Sequence, residues 1–129
     1  MRISRAQWDD LVAHAREDAP NECCGYLRLR DGRVDEVYRA ENTRHSPYGY
    51  SFGFEALTAA NEFDDEGWEV GIYHSHPRSA AEPSQQDINE ANYPHWRYLI
   101  VSLVGDDPEV RVWRIADGRV EEEDLHVDD

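Results

Sequence analysis

Apolar residues recur along this chain with two periods, one helical and one alternating. Trp8, Leu11, Val12 and Ala15 fall on one helical face behind Ser4 and Gln7, which have capping-box spacing, while Ile3 is placed to staple onto Trp8. This predicts a helix from Ser4 to Ala19, stopped by Pro20. Cys24 to Leu29 and Arg33 to Ala40 read as strands flanking Asp31-Gly32, a two-residue hairpin signal. Residues 41–53, with Asn42, Ser46, Pro47, Gly49 and Gly53, read as a loop holding a short strand around Tyr50.

A second helix is expected over Glu55 to Asp65, with Leu57, Ala60 and Phe63 inward and Gly67 just past its end. Trp68 to His74 reads as a strand, Pro77 to Pro83 as a loop, and Ser84 to Asn92 as a short helix ended by Pro94. Tyr98 to Val104 is the most apolar stretch and predicts a central strand. Val110 to Ile115 follows, and Asp117-Gly118 turns into a last short strand before an acidic tail. The order α-β-β-α-β-α-β-β predicts an α/β fold, a sheet with helices packed on it, as one domain over residues 1–129.

Composition narrows the function classes. The 13 basic residues, all of them Arg, face 28 acidic ones, for a net charge of −15. Such a surface repels phosphate backbones and argues against nucleic-acid binding. It resembles the surface of proteins from salt-loving archaea; avoidance of Lys codons in a GC-rich bacterium, or plain solubility, accounts for it as well. No apolar run is long enough to span a membrane and the polar start is not a signal peptide, so a cytoplasmic location is expected. Cys23 and Cys24 are sequence neighbours, which suits neither a usual disulfide nor a zinc finger. A cysteine that opens an apolar strand is more often buried and inert than nucleophilic.

The chemistry concentrates in Gly71-Ile72-Tyr73-His74-Ser75-His76-Pro77 and its continuation to Asp87. Residues i and i+2 of a strand share a face, so His74 and His76 can reach one ion, with Asp87 at the start of the next helix as a third ligand. Two imidazoles and a carboxylate leave an open position on tetrahedral zinc, the arrangement of a catalytic site. Ser84 and Asp87 also form a plain capping box, worth about 1 kcal/mol, and a capped turn would hold Asp87 beside the histidines. His14, His45, His95 and His126 read as surface or packing residues, with His95 a possible support for the ligands. A further carboxylate must stand near the metal-bound water as general base. Among the 28 acids, spacing alone leaves Glu22, Glu69, Glu82 and Glu90 open.

His74-Ser75-His76-Pro77, seven residues, then Ser84, two residues and Asp87 resembles the JAMM (MPN+) metalloprotease motif, and Pro20 to Leu27 resembles that family's Glu-bearing first strand. The resemblance implies a three-layer α/β/α fold like that of cytidine deaminases, around a curved mixed sheet. It implies one zinc ion on His74, His76 and Asp87, water as fourth ligand, Glu22 as general base and acid, and Ser84 at the oxyanion. The implied substrates are ubiquitin-like modifier proteins with a Gly-Gly C-terminus and their conjugates, as for archaeal desampylases or for bacterial enzymes that release cysteine from a sulfur carrier. The acidic, lysine-free composition favours the desampylase type. With no room for long insertions a permissive enzyme is expected, and residues 48–54 would form the edge along which an extended tail adds as a strand. A metal-free scaffold of the same fold would lack part of this ligand set. A nucleoside deaminase would need a Pro-Cys-x-x-Cys segment, which is absent.

Overall fold

The computed structural model describes residues 1–129. The elements are β1 (Arg2–Ser4), α1 (Arg5–Asp18), β2 (Cys24–Arg30), β3 (Arg33–Ala40), α2 (Phe54–Asp65), β4 (Glu69–His76), α3 (Gln85–Asn89), β5 (Arg97–Ser102), β6 (Glu109–Ala116), β7 (Arg119–Glu123) and β8 (His126–Asp128). The eight strands form one mixed sheet in the order β7-β6-β5-β4-β2-β3-β1-β8. The pairs β4/β5, β1/β3 and β1/β8 are parallel and the rest antiparallel.

The expected helices form where their caps lie. Ser4 and Gln7 make the capping box of α1, and Ile3 and Trp8 meet in the same apolar cluster. Asp31 and Gly32 both take positive φ, +52° and +75°, the backbone of a two-residue hairpin turn. Two strands escape the sequence pattern. Arg2–Ser4 and the tail segment His126–Asp128 pair in parallel, Arg2 opposite His126, so the acidic tail closes one edge of the sheet. The expected strand around Tyr50 does not form; the segment carries only an isolated bridge between Ser46 and Gly49.

The alternation of β4 separates two cores. Tyr73 points toward α1 with Leu11, Ala15, Leu27 and Leu99, whereas Val70 and Ile72 point toward α2 with Ala60, Tyr98 and Ile100. The result is three layers, α/β/α. Gly25 of β2 faces Tyr73, and a Cβ there would stand 2.2 Å from the Tyr73 ring, so only glycine fits beneath it. The phenol of Tyr73 ends 2.7 Å from His14 Nδ1, which makes His14 a buried packing residue as expected. No helix is long and apolar enough to cross a membrane.

Candidate metal centre

His74 and His76 continue the Val70/Ile72 face, so both rings emerge at the C-terminal end of β4 on the α2 side of the sheet. Residues 77–83, which follow, are tied back to the sheet: Ser102 donates to the Ser79 carbonyl at 2.6 Å and Trp113 Nε1 to the Ala81 carbonyl at 2.9 Å. This anchoring carries the chain into α3, where Ser84 accepts from the Asp87 amide at 3.1 Å and the Asp87 side chain accepts from the Ser84 amide at 2.9 Å. The capping box expected from sequence is therefore also what aims Asp87 at the histidines.

The donor atoms converge. Nε2 of His74 and Nε2 of His76 are 3.1 Å apart. Asp87 Oδ2 lies 3.0 Å from the His76 nitrogen, and Oδ1 lies 3.3 Å from that of His74. His76 Nδ1 sits 2.8 Å from the Ala80 carbonyl oxygen, an acceptor that requires the ring proton on Nδ1. A neutral His76 then turns a lone pair toward the other two donors. One shared proton cannot satisfy three such atoms, whereas one divalent cation can, and the set His74, His76, Asp87 fits a single zinc ion. Without a cation, imidazole N–H groups meet the carboxylate instead. Burial pushes the Asp87 carboxyl up, but the two imidazoles more than offset this and hold it well below the usual carboxylate range. Burial lowers the pKa of His74, while for His76 the Asp87 carboxylate outweighs burial and raises it.

Glu22 stands just before β2, its backbone fixed by Ser46 and by the Asn42 side chain, each at 2.9 Å. It is 6 % exposed, and its Oε1 has no hydrogen-bond partner. Burial raises its pKa to about 7, and the charges of His76 and Asp87 act on it. The other carboxylates left open by sequence are all engaged: Glu69 by Arg97, Glu82 by Arg111 and Glu90 by Arg44. Glu22 is the one of the four that the chain leaves buried and unpaired.

Of the remaining histidines, His95 pairs with Asp64 at 2.7 Å and does not support the ligands, and His45 pairs with Glu41 at 3.4 Å. Cys23 and Cys24 are buried, and burial pushes both thiols up to about 12, which makes them inert. Two residues at the site carry no sequence signal that places them against the histidines. Tyr50 stacks on the His74 ring, and buried Asn42 organises the loop that carries it. Beside them a cavity of about 340 Å³ is lined by Tyr50, Phe52, Leu57, Ile72, Tyr93 and Tyr98.

Residues 4–116 match the family model described as prokaryotic homologs of the JAB domain. The chain is 38 % identical to the CysO-cysteine peptidase of Mycobacterium tuberculosis, over 91 % of this chain and 84 % of that protein. It is 35 % identical to the desampylase of Haloferax volcanii, over 75 % of this chain and 76 % of the relative. The solution structure of protein DSY2949 from Desulfitobacterium hafniense superposes with a TM-score of 0.85 at 36 % identity, covering 99 % of this chain and 92 % of that one. The donor set, the fold and these similarities agree: the chain belongs to the prokaryotic JAB family, the JAMM/MPN metallopeptidases.

Proposed function

We propose that the protein is a zinc-dependent isopeptidase or peptidase that cleaves after the C-terminal Gly-Gly of ubiquitin-like modifier proteins. The observation that carries this reading is one buried, unpaired carboxylate, Glu22, beside three convergent donors. A non-catalytic scaffold would have no use for that pairing. When bound, zinc supplies a Lewis acid that lowers the pKa of water to about 7 and polarises a carbonyl.

The chain's own residues do the rest. Glu22, with a pKa of about 7, takes a proton at its carboxylate and returns it to the departing amine. Ser84 Oγ already accepts the Asp87 amide, so its own hydrogen is free to donate to the oxyanion of the tetrahedral intermediate. Ser51 N–H and C=O are bonded to Asn42 and Thr43, while Tyr50 and Phe52 on either side make no backbone–backbone hydrogen bond. Those free groups suit an extended tail lying along residues 50–52.

A second reading is favoured by one observation. The relative named CysO-cysteine peptidase matches more of the chain, at higher identity, than the desampylase does, which supports release of cysteine from a sulfur-carrier protein. Two substrates decide between them: a lysine-linked conjugate of a Gly-Gly-ended modifier, and the same modifier carrying a C-terminal cysteine. Each is incubated with zinc-loaded protein, with and without chelator. Chelator-sensitive cleavage of the first supports the isopeptidase, and of the second alone the cysteine-releasing enzyme; cleavage of neither sinks both. Glu22→Gln should keep its zinc and lose about 10²–10⁴-fold in turnover, checked by metal analysis and initial rates on the same sample.

A further inference from the structure

The two ligating rings are held by different means. His76 has its Nδ1 on the Ala80 carbonyl. His74 Nδ1 is buried and has no hydrogen-bond partner. A neutral imidazole that presents Nε2 to a cation carries its proton on Nδ1, so His74 lacks the acceptor that normally fixes the ring and tautomer of a metal-ligating histidine. Against its face lies Tyr50, with ring centroids 4.4 Å apart and planes 21° from parallel. Phe52 meets Tyr50 edge-on at 5.7 Å.

Tyr50 is itself pinned. Asn42, 5 % exposed, donates to the Gly49 carbonyl at 3.0 Å and accepts from the Ser51 amide at 3.1 Å, bracketing Tyr50 on both sides. Its amide also donates to the Glu22 carbonyl at 2.9 Å, so one buried side chain sets both the Glu22 backbone and the Tyr50 ring.

We propose that Tyr50 is the positioning residue for the His74 ligand, its stacked ring doing for His74 what the Ala80 carbonyl does for His76, with Asn42 holding Tyr50 in place. Rotation of the imidazole about its Cβ–Cγ bond would swing Nε2 away from its partners, and the flat phenol face blocks that rotation. The contact is ring on ring, so phenylalanine replaces tyrosine and a branched aliphatic residue does not. The inference rests on the zinc reading above and deepens it.

The test is zinc affinity, measured by competition with a chromophoric chelator, together with the visible spectrum of the cobalt-substituted protein. Tyr50→Leu is expected to weaken zinc binding about 10–100-fold and to alter the cobalt bands. Tyr50→Phe should stay within about threefold of wild type, as expected for a contact that uses only the ring. Thermal unfolding of the metal-free proteins separates a structural role, which would lower the midpoint without changing affinity. If Tyr50→Leu does not fold, Tyr50→Met, unbranched and nearer in length, takes its place. Wild-type affinity in Tyr50→Leu, or equal loss in Tyr50→Phe, overturns the proposal. A wild-type protein that binds no zinc overturns the zinc reading itself, so the two failures are told apart.

Discussion

At the start of β4, Glu69 accepts from Arg97 Nη1 at 2.7 Å and from the Gly32 amide. Arg97, 8 % exposed at the start of the neighbouring parallel strand, sends Nε to both oxygens of Glu123 at 3.0 and 3.1 Å, and Arg114 reaches the same carboxylate at 3.0 Å. At the far end of β4, His74, His76 and Asp87 turn electron-rich atoms toward one another, with Glu22 Oε1 and His74 Nδ1 left unpartnered. Both clusters have a member on β4, and the first is the wetter, Glu69 and Glu123 keeping some contact with water, yet burial alone does not distinguish their roles. Completeness does. Folding supplies every counter-charge at the first end and leaves the second short of one cation. A polar cluster that the chain completes can only hold the sheet together, whereas one it leaves incomplete can take free energy from a ligand.

Removing a donor at the incomplete end gives the largest effect on function and the smallest on the bare fold. His76→Ala should lose zinc and at least about 10³-fold in conjugate cleavage, because the Lewis acid goes with the ligand. Its metal-free form should melt only modestly below metal-free wild type, by the cavity and the unpaired Ala80 carbonyl and Asp87 oxygen that the lost ring leaves behind. Metal analysis, initial rates and metal-free melting curves together test this. A metal-free His76→Ala protein that melts far below wild type would mean that the cluster is complete without an ion.

The opposite outcome is expected at the other end. Arg97→Met removes the shared cation of Glu69 and Glu123 and should cost about 2–3 kcal/mol, below the usual loss for a fully buried pair because both carboxylates keep some contact with water. Zinc affinity should stay within about threefold of wild type, as expected for a site with no shared partners. Denaturant midpoints and chelator competition on the same preparation measure both quantities. Loss of zinc binding without loss of stability would erase the distinction between the ends.

What the sequence revealed of this arrangement follows the range of the interactions. The α1 capping box, the Asp31-Gly32 turn and the apolar run of β5 are written in neighbouring residues, and they appear where expected. The spacing of the proposed ligands His74, His76 and Asp87 is equally local, set by strand alternation and one capped turn. β1 and β8 escape because each is three residues long with no periodicity of its own, and they pair with one another across more than a hundred residues. The strand expected near Tyr50 fails because Asn42 takes the backbone groups of Gly49 and Ser51 that a ladder would use. The proposed general base, Glu22, is singled out in the sequence only by family resemblance. The features that single it out, its burial and the absence of a partner, depend on how distant segments pack.

The smallest effect sharpens the comparison through pH. Burial pushes the Glu123 carboxyl up, but the N-terminal amine, Arg97 and Arg114 more than offset this and hold it at about 2. An unfolded glutamate titrates near 4.3, so this group binds fewer protons in the folded state across the interval between the two values. Its contribution is therefore fully present above about pH 4.5, fades as the pH falls, and is gone near pH 2. With the carboxylate partly open to water, that contribution is about 1–2 kcal/mol. Glu123→Gln should be less stable than wild type by that amount at pH 7, and the gap should close on acidification, because a protonated glutamate and a glutamine are both neutral acceptors for the Arg97, Arg114 and N-terminal donors. Denaturant midpoints between pH 7 and 3, taken on chelator-treated protein so that zinc release does not enter, give the curve. A gap that stays constant with pH would mean that Glu123 acts by packing, and the first end of β4 would no longer stand as the charge-completed counterpart of the second.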